Sequence, residues 1–70
     1  MRRPIATILR AHDIAKEVFA QAVRQEGLRI TKLDPEAVKL SIKTMLAEDE
    51  RFYIEAERQI AFVKSFRKEA

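Results

Sequence analysis

Residues 27–35 read Gly-Leu-Arg-Ile-Thr-Lys-Leu-Asp-Pro, and this stretch decides the fold. Gly27 is the only glycine of the chain, and glycine readily adopts the left-handed conformation that commonly ends a helix. Asp34 can cap the free N–H groups of a new helix, and Pro35 suits its first turn, where no N–H donor is needed. The stretch therefore predicts a helix over residues 4–26, a linker over residues 27–34 and a second helix from residue 35.

The linker alternates apolar and polar residues from Leu28 to Leu33, a pattern typical of a short extended segment. A lone strand leaves its backbone hydrogen-bonding groups unpaired. Two alternatives follow: the segment pairs with its copy in a second chain, or it is a solvated connection.

The first helix carries an apolar stripe at spacings of three and four residues, the period of an amphipathic helix. The stripe consists of Ile5, Ile8, Leu9, Ala15, Phe19, Ala22 and Val23. Ile14 and Val18 lie beside it and widen the apolar face. A face this broad predicts that the helix packs on two sides.

The second half of the chain predicts one long helix over residues 35–68, about 50 Å in length. Its stripe consists of Val38, Ile42, Met45, Asp49, Phe52, Ala56, Ile60, Val63 and Phe66. No glycine or proline interrupts it after Pro35. A break at residues 48–50, where three acidic residues are adjacent, is the alternative.

An antiparallel pairing of the two helices places Leu9 near Phe52 and Ile5 near Ala56. In this register His12 lies opposite Asp49 inside apolar stripes. An imidazole beside a carboxylate is stabilised as a charged pair. The favoured interpretation is a polar pair that fixes the helix register, as a single buried polar residue does in coiled coils. The other is a pH-sensitive site.

Beyond Glu57 the long helix has no partner in this register, which leaves a cluster of large apolar residues uncovered. Soluble monomers seldom expose such clusters. A homodimer would bury them together with the second face of the first helix. The expected interface residues are Ile14, Val18, Ile60, Phe62, Val63 and Phe66. The predicted fold is all-α: a two-helix antiparallel hairpin with a short helix, an extended linker and a long helix, in a homodimeric helical bundle.

The charge is banded along the chain, although the net charge is +3. Residues 1–33 and 51–70 are basic, whereas residues 34–50 are acidic. Basic residues near the two termini and in the linker form a candidate phosphate-binding patch. Its residues are Arg2, Arg3, Arg10, Arg29, Lys32, Lys64, Arg67 and Lys68. A solvated mixed surface is the commoner meaning of interspersed charge.

The residue types argue against catalysis and bound cofactors. The chain has no cysteine and one histidine, so a transition-metal site is not expected. Consecutive acids diverge around a helix and cannot share a metal or a proton. The hydroxyl residues show no nucleophile–base spacing. No apolar run is long enough to span a membrane, no signal peptide is recognisable, and the cytoplasm is the expected location.

Two families share local patterns with the chain. Arg29-Ile30-Thr31, followed by two helical stretches, resembles a ribbon-helix-helix repressor. Residues 14–38, with Gly27 and Asp34, resemble the helix–strand–helix second half of a histone fold. Each resemblance covers about half of the chain, and neither assigns a role to a residue.

Together these patterns predict a single domain that binds rather than catalyses. The leading expectation is a small homodimeric regulator of another protein, an inhibitor or anti-activator of the kind that phages and plasmids encode. Its motivation is a broad apolar and aromatic surface without a continuous basic stripe. The alternative is a dimeric DNA-binding transcriptional regulator that uses the basic termini and the linker.

Overall fold

The computed structural model describes residues 3–67, which contain three α-helices and one 3₁₀ turn. Helix α1 spans Ile5–Gln25, the turn Ile30–Lys32, α2 Pro35–Glu48 and α3 Arg51–Ser65. The predicted all-α class is confirmed. Within residues 3–67, no helix is both long and apolar enough to cross a bilayer.

Gly27 ends α1 in the predicted left-handed conformation, with a φ of 77°. The Leu28 N–H donates to the Val23 carbonyl at 3.1 Å, and the Gly27 N–H donates to the Arg24 carbonyl at 2.9 Å. These two bonds form a Schellman motif, which satisfies carbonyl groups that the helix end leaves free. A Cβ atom at residue 27 would meet nothing within 4 Å, so glycine is needed for its backbone conformation alone.

The linker forms a 3₁₀ turn at Ile30–Lys32 and not the extended segment that its pattern predicted. The turn bonds internally: the Lys32 N–H donates to the Arg29 carbonyl and the Leu33 N–H to the Ile30 carbonyl. Asp34 then caps α2 as predicted, because its carboxylate accepts from the Glu36 N–H at 3.3 Å. Pro35 occupies the first turn of that helix.

The single long helix over residues 35–68 is wrong, and the alternative break near residues 48–50 is correct. Asp49 leaves the helical conformation, with a φ of −130° and a ψ of 103°. Its carboxylate accepts from the Arg51 N–H at 3.0 Å and so satisfies a free N–H group at the first residue of α3, next to the N-cap residue Glu50. Acidic residues are favourable at a helix N-terminus, which suits Asp49 and Glu50 at the start of α3, whereas Glu48 ends α2, where an acidic residue is unfavourable.

The break reverses the chain and changes the predicted pairing. Arg3 bonds to Glu50 and Arg10 to Gln59, so the contacts advance together along α1 and α3 and the two helices run parallel. Helix α2 runs antiparallel to α1, because Arg3 lies near Leu46 whereas residues 12 and 16 lie near residues 38 and 42. Helix α1 packs against both neighbours, which scarcely touch each other.

The core is built mainly from small side chains. Ala11 and Ala15 on α1 and Ala56 on α3 are 0% exposed, and they form one cluster with Ile42 and Leu46 of α2. Thr7 is also buried, so the buried face of α1 recurs at intervals of four residues. Small residues at this spacing let neighbouring helix backbones approach closely.

The folded chain leaves much of its surface uncovered. It exposes 6248 Å², whereas a monomeric protein of its mass typically exposes about 4,500 Å². Its radius of gyration is 14.4 Å, against about 11 Å for a compact domain of this length. Its dimensions of 46 × 27 × 17 Å describe a flat slab. A flat protomer with excess surface offers broad faces to other molecules.

Candidate functional site

His12 and Asp49, the predicted polar register pair, do not form a pair in the structure. The Asp49 carboxylate bonds to the Arg51 guanidinium, with Oδ2 accepting from Nη2 at 2.7 Å and Oδ1 from Nε at 3.0 Å. His12 lies in a groove with Val38 and Ile42, in the middle and N-terminal part of α2. The prediction was wrong because it assumed one continuous second helix and a pairing shifted along α1.

Arg51 also changes the acidity of Asp49. Hydrogen bonds from the Arg51 side chain, and then from its backbone N–H, stabilise the ionised carboxylate and lower the pKa of Asp49. The same bond to Asp49 raises the pKa of Arg51. Asp49 and Arg51 therefore form a local ion pair at the corner between α2 and α3, where the Asp49 side chain is 30% exposed.

Large apolar side chains remain exposed at the C-terminal end of α3. Phe62, Val63 and Phe66, which we call the C-terminal apolar patch, are 65%, 68% and 70% exposed. The two phenyl rings lie one helical turn apart and meet edge to face, with centroids 4.8 Å apart. Val63 follows Ala56 by two turns and lies on the same face, so the surface that packs on α1 continues beyond the part that α1 covers.

The other predicted interface residues are covered to different degrees. Ile60 is half-buried and shares a surface depression with Arg10 and Val63. Ile14 is half-buried against the core cluster, whereas Val18 is 46% exposed. The predicted overhang therefore does not project freely: α3 packs on α1 and Ile60 is partly covered there, while the C-terminal apolar patch stays open.

The structure distributes the predicted basic patch over several places. Arg3 is engaged with α3, since it bonds to Glu50 at 2.9 Å and its guanidinium lies 4.2 Å from the centre of the Tyr53 ring. Arg10 and Lys64 meet at one depression, where the Arg10 Nε donates to the Gln59 Oε1 at 2.6 Å.

The remaining predicted basic residues do not add to this pair in a single patch. Arg29 lies beside the linker turn and Lys32 within it, and this turn follows the far end of α1, about 22 Å along the helix from Arg10. Arg67 is exposed at the end of α3. Arg2 and Lys68 lie outside the described residues.

Sequence reasoning missed a second group of exposed apolar residues. Ile5 and Leu9 were expected in the hairpin core, yet they are 75% and 61% exposed. Leu40 on α2 and Ile54 on α3 are 66% and 54% exposed. The sequence does contain a signal for this arrangement, because small residues recur every four positions on α1. These small residues, and not the stripe of larger apolar residues, form the buried face of the helix.

An open groove between α1 and α2 combines apolar and charged side chains. It is lined on one side by His12 and Lys16, on the other by Val38 and Lys39, and at one end by the linker. These positions combine apolar surface with the ammonium groups of two lysines.

Comparisons with known proteins add no assignment to this geometry, since no family model, no curated protein and no solved structure matches the chain.

Proposed function

We propose that the chain is a small non-enzymatic regulatory protein that acts as a homodimer and binds another protein, as an inhibitor or anti-activator does. The observation that carries this proposal is the amount of large apolar side chain left on the surface. Among residues 3–67, ten large apolar residues are more than 40% exposed. Exposed apolar clusters of this kind mark interaction surfaces in soluble proteins.

The exposed area of the protomer is large enough for two protein interfaces. The accessible surface of 6248 Å² exceeds the value typical of a monomer of this mass by roughly 1,700 Å². An interface of standard size covers about 800 Å² on each partner. The excess is thus sufficient for a second copy of the chain and for a different protein.

The C-terminal apolar patch is the proposed centre of the dimer contact. Phe62 and Phe66 supply adjacent aromatic rings, the residue type enriched in the buried centres of interfaces. Val18 and the partly covered Ile14 and Ile60 are proposed to lie at its edge. Lys64 and Arg67, exposed on the same helix end, would then form a polar rim.

Light scattering on the purified chain tests the dimer, with a variant and a matched control. The parent should have twice the chain mass of 8.1 kDa at micromolar concentration. The double variant Val63→Glu/Phe66→Glu should be monomeric, because it places carboxylates in an apolar contact. Ile54→Glu changes a comparably exposed residue on the opposite face of α3 and should remain dimeric.

Capture from a bacterial lysate tests the second part of the proposal. The immobilised parent chain should retain a partner protein that binds its exposed apolar surface. The amount of partner retained should fall when exposed apolar residues are replaced by glutamate. A parent chain with the monomer mass would contradict the dimer. A capture that returned only nucleic acid would contradict a protein partner.

The second candidate is a dimeric DNA-binding regulator, and the meeting of Arg10 with Lys64 is the observation that favours it. Two cations on one depression can contact adjacent phosphates, and a dimer would double them. Generic duplex DNA should then bind with an affinity that falls steeply with salt, and Arg10→Gln should weaken it. Absence of any duplex shift at low salt would contradict this candidate.

A further inference from the structure

The groove between α1 and α2 has an apolar lining that the monomer leaves partly uncovered. Ile30, Leu33 and Val38 are half-buried there, together with the buried Ile42. The groove holds about 380 Å³. Its open shape suits a polypeptide better than a small ligand, because small-ligand sites typically enclose most of the ligand surface.

Cationic side chains border this apolar surface on both sides. Lys16 on α1 and Lys39 on α2 are exposed, and the half-buried His12 lines the same groove. Of the residues that the structure describes, none that lines the groove carries a carboxylate. Lysine stems can lie along an apolar surface while their ammonium groups remain in water. The groove therefore presents an apolar floor with a positive rim.

We propose that this groove binds an acidic amphipathic helix of the partner protein. The inference rests on the proposed function and specifies the chemistry of the partner. Apolar side chains of such a helix would cover Leu33 and Val38, and carboxylates on its flanks would meet Lys16 and Lys39. Helix-in-groove recognition reads apolar residues at intervals of three, four and seven, with charges that set orientation and specificity.

The dimensions of the groove fit this occupant. Its α2 wall extends from Pro35 to Ile42, about 10 Å of helix, so it accommodates two turns of a bound helix. The groove lies between α1 and α2, whereas the C-terminal apolar patch lies at the end of α3, so one protomer can use both surfaces. Nucleic-acid backbone is a poorer occupant of the groove, because its charged phosphates would lose water against the apolar floor and make no favourable contact there.

Two synthetic peptides of about four helical turns test the proposal on the full-length chain. Both carry leucines at positions i, i+3 and i+7; one has glutamates beside them and the other has lysines. In ¹H–¹⁵N spectra of the labelled protein, the acidic peptide should shift the amide signals of residues 30–34 and 36–39. The basic peptide should leave those signals unchanged.

Charge-reversal variants distinguish peptide binding in this groove from nonspecific electrostatic attraction between peptide and protein. Lys16→Glu and Lys39→Glu should each weaken the acidic peptide roughly tenfold, since each replaces an attractive pair with a repulsive one. Arg58→Glu makes the same change in charge at an exposed site on α3 and should leave the affinity within about twofold. All three lysine and arginine positions are exposed, so each variant should retain parent helicity.

Several results would overturn the groove. Equal affinity for the two peptides, or equal weakening by Arg58→Glu and Lys39→Glu, would show that the rim does not select acidic partners. Shifts confined to residues 62–66 would place the peptide on the C-terminal apolar patch; this outcome overturns the groove while leaving the proposed protein-binding function in place. A failure of that function would instead appear as a monomeric chain that captures no protein.

Discussion

Asp49 leaves the helical conformation between α2 and α3, and its carboxylate makes two contacts with the first residue of α3. It accepts from the Arg51 N–H and binds the Arg51 guanidinium in the same place. Both contacts require the chain to leave the helical conformation after Glu48. In a continuous helix the same carboxylate would lie in the apolar stripe, where its desolvation would be unfavourable.

The lowered pKa of Asp49 predicts how acid acts on this corner. A carboxyl group whose pKa is lower in the folded than in the unfolded state stabilises the fold above its unfolded value. That stabilisation is lost as the pH falls from the ordinary value near 3.8 through the folded value. Helicity measured during urea unfolding should show stability falling across this range, and Asp49→Asn should reduce the slope while keeping an oxygen acceptor for the cap.

Two further variants assign that slope to the Asp49–Arg51 bond. Arg51→Gln removes the guanidinium and should reduce the slope as Asp49→Asn does. Arg58→Gln removes a cation of similar exposure from the same helix and should leave the slope of the parent. An unchanged slope in both Asp49→Asn and Arg51→Gln would refute the role of this bond.

Local signals of single residues were predictable from sequence, but the partners of His12 and Asp49 were not. Gly27 and Asp34 act on backbone groups within five residues, so their sequence position determines their contacts. The partner of His12 depends on which helices are adjacent and in which direction they run. The break at Asp49, which the sequence offered only as the alternative, changed both, and it separated His12 from Asp49.

At the scale of the elements, α1 buries its small residues and exposes several large ones. Thr7, Ala11 and Ala15 lie at intervals of four and are all nearly inaccessible, whereas Ile5 and Leu9 are exposed. Apolar periodicity alone ranks the larger residues first as core candidates. The close approach of parallel α1 and α3 reverses that ranking, because only small side chains fit between the two backbones.

Ala11→Leu tests the close packing between α1 and its neighbours. Ala11 is 0% exposed, so three added carbon atoms must displace Ala15, Ala56 or the backbone of a neighbouring helix. Overpacking of this kind typically destabilises a core by about 1–3 kcal/mol. Urea unfolding at fixed protein concentration measures the loss.

Ala6→Leu is the matched control for Ala11→Leu, because it makes the same change on the exposed side of α1. A surface change of this type usually alters stability by less than about 0.5 kcal/mol. Equal effects of the two substitutions would show that α1 and α3 are not closely packed at Ala11.

At the scale of the whole molecule, packing and exposed surface lead to one conclusion about assembly. Three alanines lie at the centre of a core that only Ile42 and Leu46 complete, and small side chains bury little apolar area. The described chain contains no large side chain that is fully buried. The missing apolar burial is available on the outer faces, so association can supply stability that the isolated protomer lacks.

The midpoint of thermal unfolding should therefore depend on protein concentration. For a dimer that unfolds to separate chains, a tenfold rise in concentration favours the folded state by about 1.4 kcal/mol. For a folded dimer of two 70-residue chains, this free energy corresponds to an unfolding midpoint about 3–6 °C higher. Circular dichroism at several concentrations measures the shift.

Phe66→Glu should abolish the concentration dependence and lower the midpoint, because a carboxylate in the apolar contact opposes association. Ile54→Glu should keep the concentration dependence of the parent. A parent midpoint that stays constant over a hundredfold range of concentration would refute stabilisation by self-association.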